Sequence, residues 1–127
     1  MKSWRHCGIG LLGLIIGFSL IWPSWPALAG PAPNPGKPAL YDFGRGMCIP
    51  CKEMEKVLSA IKSEYGDQIE VRLVMMEKNE DLFKQYKIML VPTQVFLNAE
   101  GKEVDRHIGA WSKDEVVSKL RELKFIH

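Results

Sequence analysis

The chain is poor in cysteine: three in 127 residues, of which only Cys48 and Cys51 lie beyond residue 29. No second cysteine pair follows, and His107 and His127 are not in the spacing that would complete a four-ligand zinc site. A purely structural bridge over two intervening residues closes too small a loop to constrain the unfolded chain much. What remains is Cys48-Ile49-Pro50-Cys51 as a redox-active pair. Proline is scarce in the body of the chain. Six of the eight lie at or before residue 38, leaving Pro50 and Pro92. Charge excess is also missing. The formal charge is +2, and it falls to zero without residues 1–29, because Lys2 and Arg5 go and no acid goes. A balanced chain carries no footprint for nucleic acid or an anionic membrane surface. Internal repeats and N-x-S/T acceptor sites are absent.

What is present begins with a targeting pattern. Lys2, Arg5 and His6 precede an uncharged apolar run from Cys7 to Ile21, and Ala27-Leu28-Ala29 has the small-x-small form of a cleavage site. The expectation is a signal peptide over residues 1–29, cut after Ala29, and a protein outside the cytosol, in a periplasm or its equivalent. The run is short for a membrane span; the alternative is an uncleaved N-terminal anchor. Cys7 is read as a small apolar residue of the leader. Residues 30–38, Gly-Pro-Ala-Pro-Asn-Pro-Gly-Lys-Pro, form a Pro-rich linker, extended and semi-rigid. Residues 39–127 are long enough for one small domain with a single core. An export signal implies an oxidising compartment, where a lone vicinal pair is better read as catalytic than as a scaffold.

The pair sits at a junction. Leu40 to Phe43 reads as a short apolar strand broken by Gly44 and Gly46, and a helix pattern starts at the cysteines. A helix N-terminus carries partial positive charge and favours a thiolate at Cys48. Pro50 fits the first turn, where its missing N–H is not needed. Cys51, Met54, Leu58, Ile61 and Tyr65 recur at helical spacing, so Cys51 begins a buried stripe and is expected to be the more buried thiol. Gly66-Asp67 ends that helix. Ile69 to Met76 reads as a buried strand. Asn79 is placed to cap a short helix through Tyr86, with Leu82, Phe83 and Tyr86 inward. Gln94 to Leu97, the turn Asn98 to Lys102 and Glu103 to Ile108 form a hairpin. Ser112-Lys113-Asp114-Glu115 is a capping box opening a last helix that buries Val116, Val117, Leu120 and Leu123. Met75 and Met76 are read as core filler, and His107 as an edge-strand residue facing solvent.

The order strand, helix, strand, helix, strand, strand, helix predicts an α/β fold. Strands 39–43 and 69–76 should run parallel, with the hairpin strands antiparallel to them. The cysteines then lie at the carboxyl end of the first strand, where open α/β sheets place their sites.

The chain resembles the thioredoxin family. The matching residues are Asp42-Phe43, Cys48-Ile49-Pro50-Cys51-Lys52, Tyr86-Lys87-Ile88, Val91-Pro92-Thr93, Asn98-Ala99-Glu100-Gly101-Lys102 and Gly109-Ala110, in family order over about residues 38–123. The resemblance implies a thioredoxin fold and dithiol–disulfide exchange without a metal or other cofactor. By the same resemblance Cys48 corresponds to the attacking thiol, Cys51 to the resolving thiol, and Asp42 to the buried acid behind them. Pro92 corresponds to a cis proline facing the cysteines, and Gly109 to the glycine beside the substrate groove. Ile49, Pro50, Val91, Pro92 and Gly109 are therefore the expected substrate-binding residues, with recognition by strand addition along Val91-Pro92.

The chain also departs from the family. Gly44 and Met47 stand where tryptophans are common, and Leu73 replaces the buried lysine that partners the acid. The segment before the domain is too short for the family's first strand and helix, so a small four-stranded mixed sheet is expected. Cys51-Lys52-Glu53-Met54-Glu55-Lys56 is similar to the thioredoxin-like domain of membrane thiol-reductase systems. The resulting expectation is an exported, monomeric protein-disulfide reductase acting on protein disulfides and recharged by a membrane thiol electron donor. The alternatives are a disulfide oxidase or isomerase, and a thiol-dependent chaperone or assembly factor. Ile49-Pro50 offers no histidine to stabilise a thiolate, which favours a reducing potential.

Overall fold

The computed structural model of the protein describes residues 36–127. The expected leader, its cleavage site and the first part of the linker lie outside these residues. The elements are β1 (Ala39–Gly44), α1 (Ile49–Tyr65), β2 (Glu70–Met75), a 3-10 turn (Met76–Lys78), α2 (Glu80–Gln85), β3 (Thr93–Leu97), β4 (Glu103–Ile108) and α3 (Lys113–Glu122). They build a four-stranded sheet in the order β2-β1-β3-β4. β1 pairs parallel with β2 and antiparallel with β3, and β3 pairs antiparallel with β4. This is the mixed four-stranded α/β architecture expected from the sequence.

Alternation along β1 builds two cores. Leu40 faces α1 and α3, packing with Met54, Leu58, Ile61, Phe96, Val116 and Leu120. Ala39, Tyr41 and Phe43 face the other way and pack with Leu82 and Phe83 of α2 and with Val95 and Leu97. Every residue of β1 is buried, as fits a central strand covered on both faces. The end of the linker is docked: Gly36 N–H donates to Ala99 O, Lys37 Nζ to Gly66 O, and Pro38 O accepts from Glu70 N–H. Among the described residues no helix is long and apolar enough to cross a membrane.

Five local expectations need correction. The strand read as buried over Ile69 to Met76 is β2, an edge strand in which Val74 alone is fully buried and the rest are half-buried. Gly44 does not break β1; it is its last residue, paired with Met75. Asn79 stands at the N-terminus of α2, but its side chain makes no cap. Its Nδ2 donates to Met75 O at 2.9 Å, while its backbone carbonyl accepts from Leu82 and Phe83. Leu123 is only partly buried, because α3 ends at Glu122 and the chain turns there through Lys124 at φ 59°. His107 does not simply face solvent: its ring stacks on Trp111 with centroids 3.7 Å apart and planes 11° from parallel. The capping box is present as read, with Ser112 and Glu115 bonded reciprocally.

Candidate active site

The cysteine pair is delivered by the loop between β1 and α1. Arg45 Nη2 donates to Met76 Sδ at 2.8 Å, and Gly46 N–H donates to Glu77 Oε1 at 3.0 Å. The second bond holds the Glu77 carboxyl below the ordinary carboxylate range. The loop is thus tied to the turn that follows β2, and α1 starts from a fixed point.

Cys48 is the N-cap of α1. Its Sγ accepts from Cys51 N–H at 3.2 Å, and its carbonyl accepts from Lys52 N–H. A sulfur in this position occupies the place of a capping oxygen and meets the positive end of the helix. Cys48 and Cys51 are joined as a disulfide. Cys48 is partly exposed, whereas Cys51 is 4% exposed.

Cys51 lies directly over Gly44: a Cβ on that glycine would stand 3.4 Å from Cys51 Cβ and 3.8 Å from its Sγ. A Cβ at residue 44 would rest in ordinary contact with the cysteine, so the glycine brings the strand backbone close beneath the disulfide. Asp42 is two residues back along β1, on the same face and so one pleat behind Cys51. It is fully buried. Its Oδ1 accepts from Gln94 Nε2 at 2.6 Å, and its Oδ2 has no partner. Burial pushes this carboxyl up to about 6, against the opposing pull of the Gln94 hydrogen bond. Leu73 flanks Asp42 on β2 and Gln94 flanks it on β3. A cleft of about 60 Å³ lined by Arg45, Gly46, Cys51, Lys52, Glu55, Leu73 and Met75 runs beside the buried thiol.

The Val91–Pro92 peptide bond is cis. The β1–β3 register ends at Phe43 and Thr93, so Pro92 is the next residue, across from Gly44 and therefore at the cysteine end of the sheet. Thr93 Oγ1 donates to Leu90 O at 2.7 Å, and Gly109 N–H donates to Pro92 O at 2.9 Å. Gly109 sits at φ 114°, a conformation open to glycine and strained for other residues. Met47, Ile49, Met89 and Leu90 are exposed large apolar side chains on the segments that carry Cys48 and Pro92.

The structure therefore gathers Cys48, Ile49, Pro50, Cys51, Asp42, Val91, Pro92 and Gly109 at one end of the sheet. Sequence reading missed Gln94 and Glu77. Gln94 had a signal: it is a polar side chain directly before the apolar run Val95-Phe96-Leu97. Glu77 had none, since its partner is a backbone N–H thirty-one residues earlier. Among the described residues no group of three or more His, Cys, Asp or Glu is placed to hold a metal ion.

The family model of a thioredoxin-like domain matches residues 30–124. The thioredoxin of Acidithiobacillus ferridurans is 34% identical over 84 residues, covering 66% of this chain and 77% of that protein. The bifunctional thioredoxin reductase/thioredoxin of Mycobacterium leprae is 30% identical over 87 residues, 68% of this chain but only 19% of that protein. Among solved structures, thioredoxin NaTrxh of Nicotiana alata superposes with a TM-score of 0.62 at 32% identity, covering 68% of this chain and 73% of that one.

Proposed function

The chain belongs to the thioredoxin family of thiol–disulfide oxidoreductases, and we propose that within it this protein is an exported protein-disulfide reductase. The observation that carries the reading is the unequal pair. Cys48 caps a helix at the surface, while Cys51 is buried over Gly44 with a carboxyl one pleat behind it. Cys48, as thiolate, attacks a substrate disulfide: a Cys48–substrate S–S bond forms and one substrate sulfur leaves as thiolate. Cys51 then gives its proton to Asp42 and attacks Cys48. The Cys48–Cys51 bond forms, the mixed disulfide breaks, and the second substrate sulfur leaves as thiolate and is protonated by solvent. Two electrons pass from the dithiol to the substrate. Asp42, with its raised pKa, is a base poised near neutral pH for the second step. Substrate backbone is received along Val91-Pro92, beside the apolar rim of Met47, Ile49 and Leu90.

The reducing direction is supported by what surrounds Cys48. Its one hydrogen-bond donor among the described residues is the Cys51 backbone N–H. Ile49 and Pro50 offer neither donor nor charge, and the Arg45 guanidinium is turned to Met76. A thiolate with so little added stabilisation favours the disulfide form and a low potential. Equilibrating the protein with glutathione at known ratios tests this. A potential near the thioredoxin value of about −270 mV is expected, and one near the DsbA value of about −120 mV overturns the reductase reading in favour of an oxidase. Export rests on Lys2, Arg5, the Cys7–Ile21 run and Ala27-Leu28-Ala29. Mass spectrometry of the secreted protein should find Gly30 at its N-terminus; full-length protein held in the membrane would contradict cleavage. A membrane thiol donor would return the two electrons.

A further inference from the structure

Three buried side-chain atoms among the described residues have no hydrogen-bond partner, and two of them, Asp42 Oδ2 and Gln94 Oε1, belong to groups already bonded to each other. Both groups are fully buried and face each other across β1 and β3. A carboxylate and a primary amide can share only one hydrogen bond, Nε2–H to Oδ1, because the remaining two atoms are both acceptors. One proton on Oδ2 changes that. The carboxylic acid and the amide then close a ring of two hydrogen bonds, Nε2–H to Oδ1 and Oδ2–H to Oε1, and neither unpaired atom is left. We propose that Gln94 is a positioning residue that stays bonded to Asp42 in both protonation states and whose Oε1 accepts a hydrogen bond from Oδ2 once Asp42 has taken the proton of Cys51. Nothing but that proton moves: it leaves Cys51 Sγ and comes to rest on Oδ2, between the two residues. The functional half of this proposal rests on Asp42 acting as base to Cys51.

An amide suits this place better than a cation. A lysine has donors only and would hold Asp42 ionised, whereas glutamine can donate and accept without adding charge. The other groups near Asp42 do not compete. On β2, Leu73 is apolar. From α1, Cys51, Lys52 and Glu55 open on the adjoining cleft, together with Arg45 of the loop. On β4, His107 stands beyond Gln94 in register and stacks on Trp111, with Asp105 and Glu115 acting on it. Gln94 is the one hydrogen-bond partner of the Asp42 carboxyl among the described residues.

The test uses the full-length reduced protein with Cys7→Ser, whose thiols are then Cys48 and Cys51 alone, and an aromatic disulfide that releases one coloured thiolate when Cys48 attacks and a second when Cys51 resolves. The second phase is followed from pH 5 to 9 in wild type, Gln94→Met, Gln94→Leu and Asp42→Asn. Losing the amide leaves the carboxylate buried and unbonded, which penalises the ionised form most. The inflection of the second phase should therefore move to higher pH in both Gln94 variants. The rate at pH 7 should fall, by up to about tenfold for an inflection one pH unit higher, and recover at high pH, with the first phase unchanged. Difference infrared spectra across the same titration should show the protonated Asp42 carbonyl stretch at higher frequency in Gln94→Met than in wild type, because the ring is broken. An unchanged inflection in whichever Gln94 variant folds, or an unmoved carbonyl band, overturns the proposal. A wild-type second phase in Asp42→Asn overturns the base reading instead, and the infrared band still decides whether Gln94 accepts the hydrogen bond.

Discussion

The two faces of β1 are built to opposite ends. Toward α2 it presents Ala39, Tyr41 and Phe43, and Phe43 meets Phe83 edge-on with centroids 5.1 Å apart. Toward α1 the same strand presents Leu40, then Asp42, then Gly44: a core residue, a buried acid and an empty place under a cysteine. One face is closed with aromatic packing; the other gives up packing for a carboxyl with one hydrogen bond and two unpaired atoms across the pair. Residues one apart in sequence therefore sit in different surroundings, close aromatic packing on one side and a buried, half-satisfied carboxyl on the other. Substitutions on the two faces should move stability in opposite directions.

The largest stability effect is expected on the aromatic face. Phe43→Ala removes a fully buried ring, and chemical denaturation should find it less stable by about 3–5 kcal/mol. A loss under about 1 kcal/mol would mean that this face carries no special share of the core.

Across the strand, Asp42→Asn should stabilise the protein at pH 7. The folded carboxyl has its pKa raised from 3.8 to about 6, so the folded state holds the proton more tightly than the unfolded chain does. Stability is therefore highest below the unfolded value, falls as pH rises between the two values, and is level above the folded one. The total fall is on the order of 3 kcal/mol. Asp42→Asn should abolish this slope, matching wild type near pH 3 and exceeding it at pH 7. A variant less stable than wild type at pH 7 would show that the acid is not held at a cost.

A smaller effect separates the acid from its surroundings. Ser112→Ala removes the cap of α3, which packs on the α1 side of the sheet but away from Asp42. It should cost about 1 kcal/mol by thermal melting, by the same amount at pH 5 and pH 8. A pH-dependent cost would mean that the slope assigned to Asp42 belongs to the whole face. The smallest signal is His107. Burial lowers its pKa from the ordinary 6.5, against Glu115 and Asp105, so its ring should titrate below that value by NMR. Trp111→Ala, which uncovers the ring, should bring it back up, and an unchanged titration would remove the stacking as cause.

The difference between the faces was only partly legible in the sequence. The stripe from Cys51 to Ile61, the hairpin and the Ser112 capping box all follow from local periodicity and local hydrogen bonding, and the structure holds them. Asp42 could be suspected because it interrupts an apolar strand. Its partner could not, because pairing Asp42 with Gln94 depends on the register between two strands fifty-two residues apart. Asn79 misled for the opposite reason. Its residue type fits a cap, but a carbonyl at Met75 came within reach of its amide and won. His107 read as solvent-facing because strand alternation says nothing of Trp111, which arrives from the loop before α3.

In the proposed reaction the two sulfurs are unequal, Cys48 attacking and Cys51 resolving. Trapping tests it most directly: Cys48→Ser and Cys51→Ser proteins are exposed to disulfide-bonded proteins, and covalent adducts are resolved on non-reducing gels. Cys51→Ser should accumulate mixed disulfides through Cys48, and Cys48→Ser, whose remaining thiol in the domain is buried, should accumulate none. Adducts formed equally by both variants, or by Cys48→Ser alone, would contradict it.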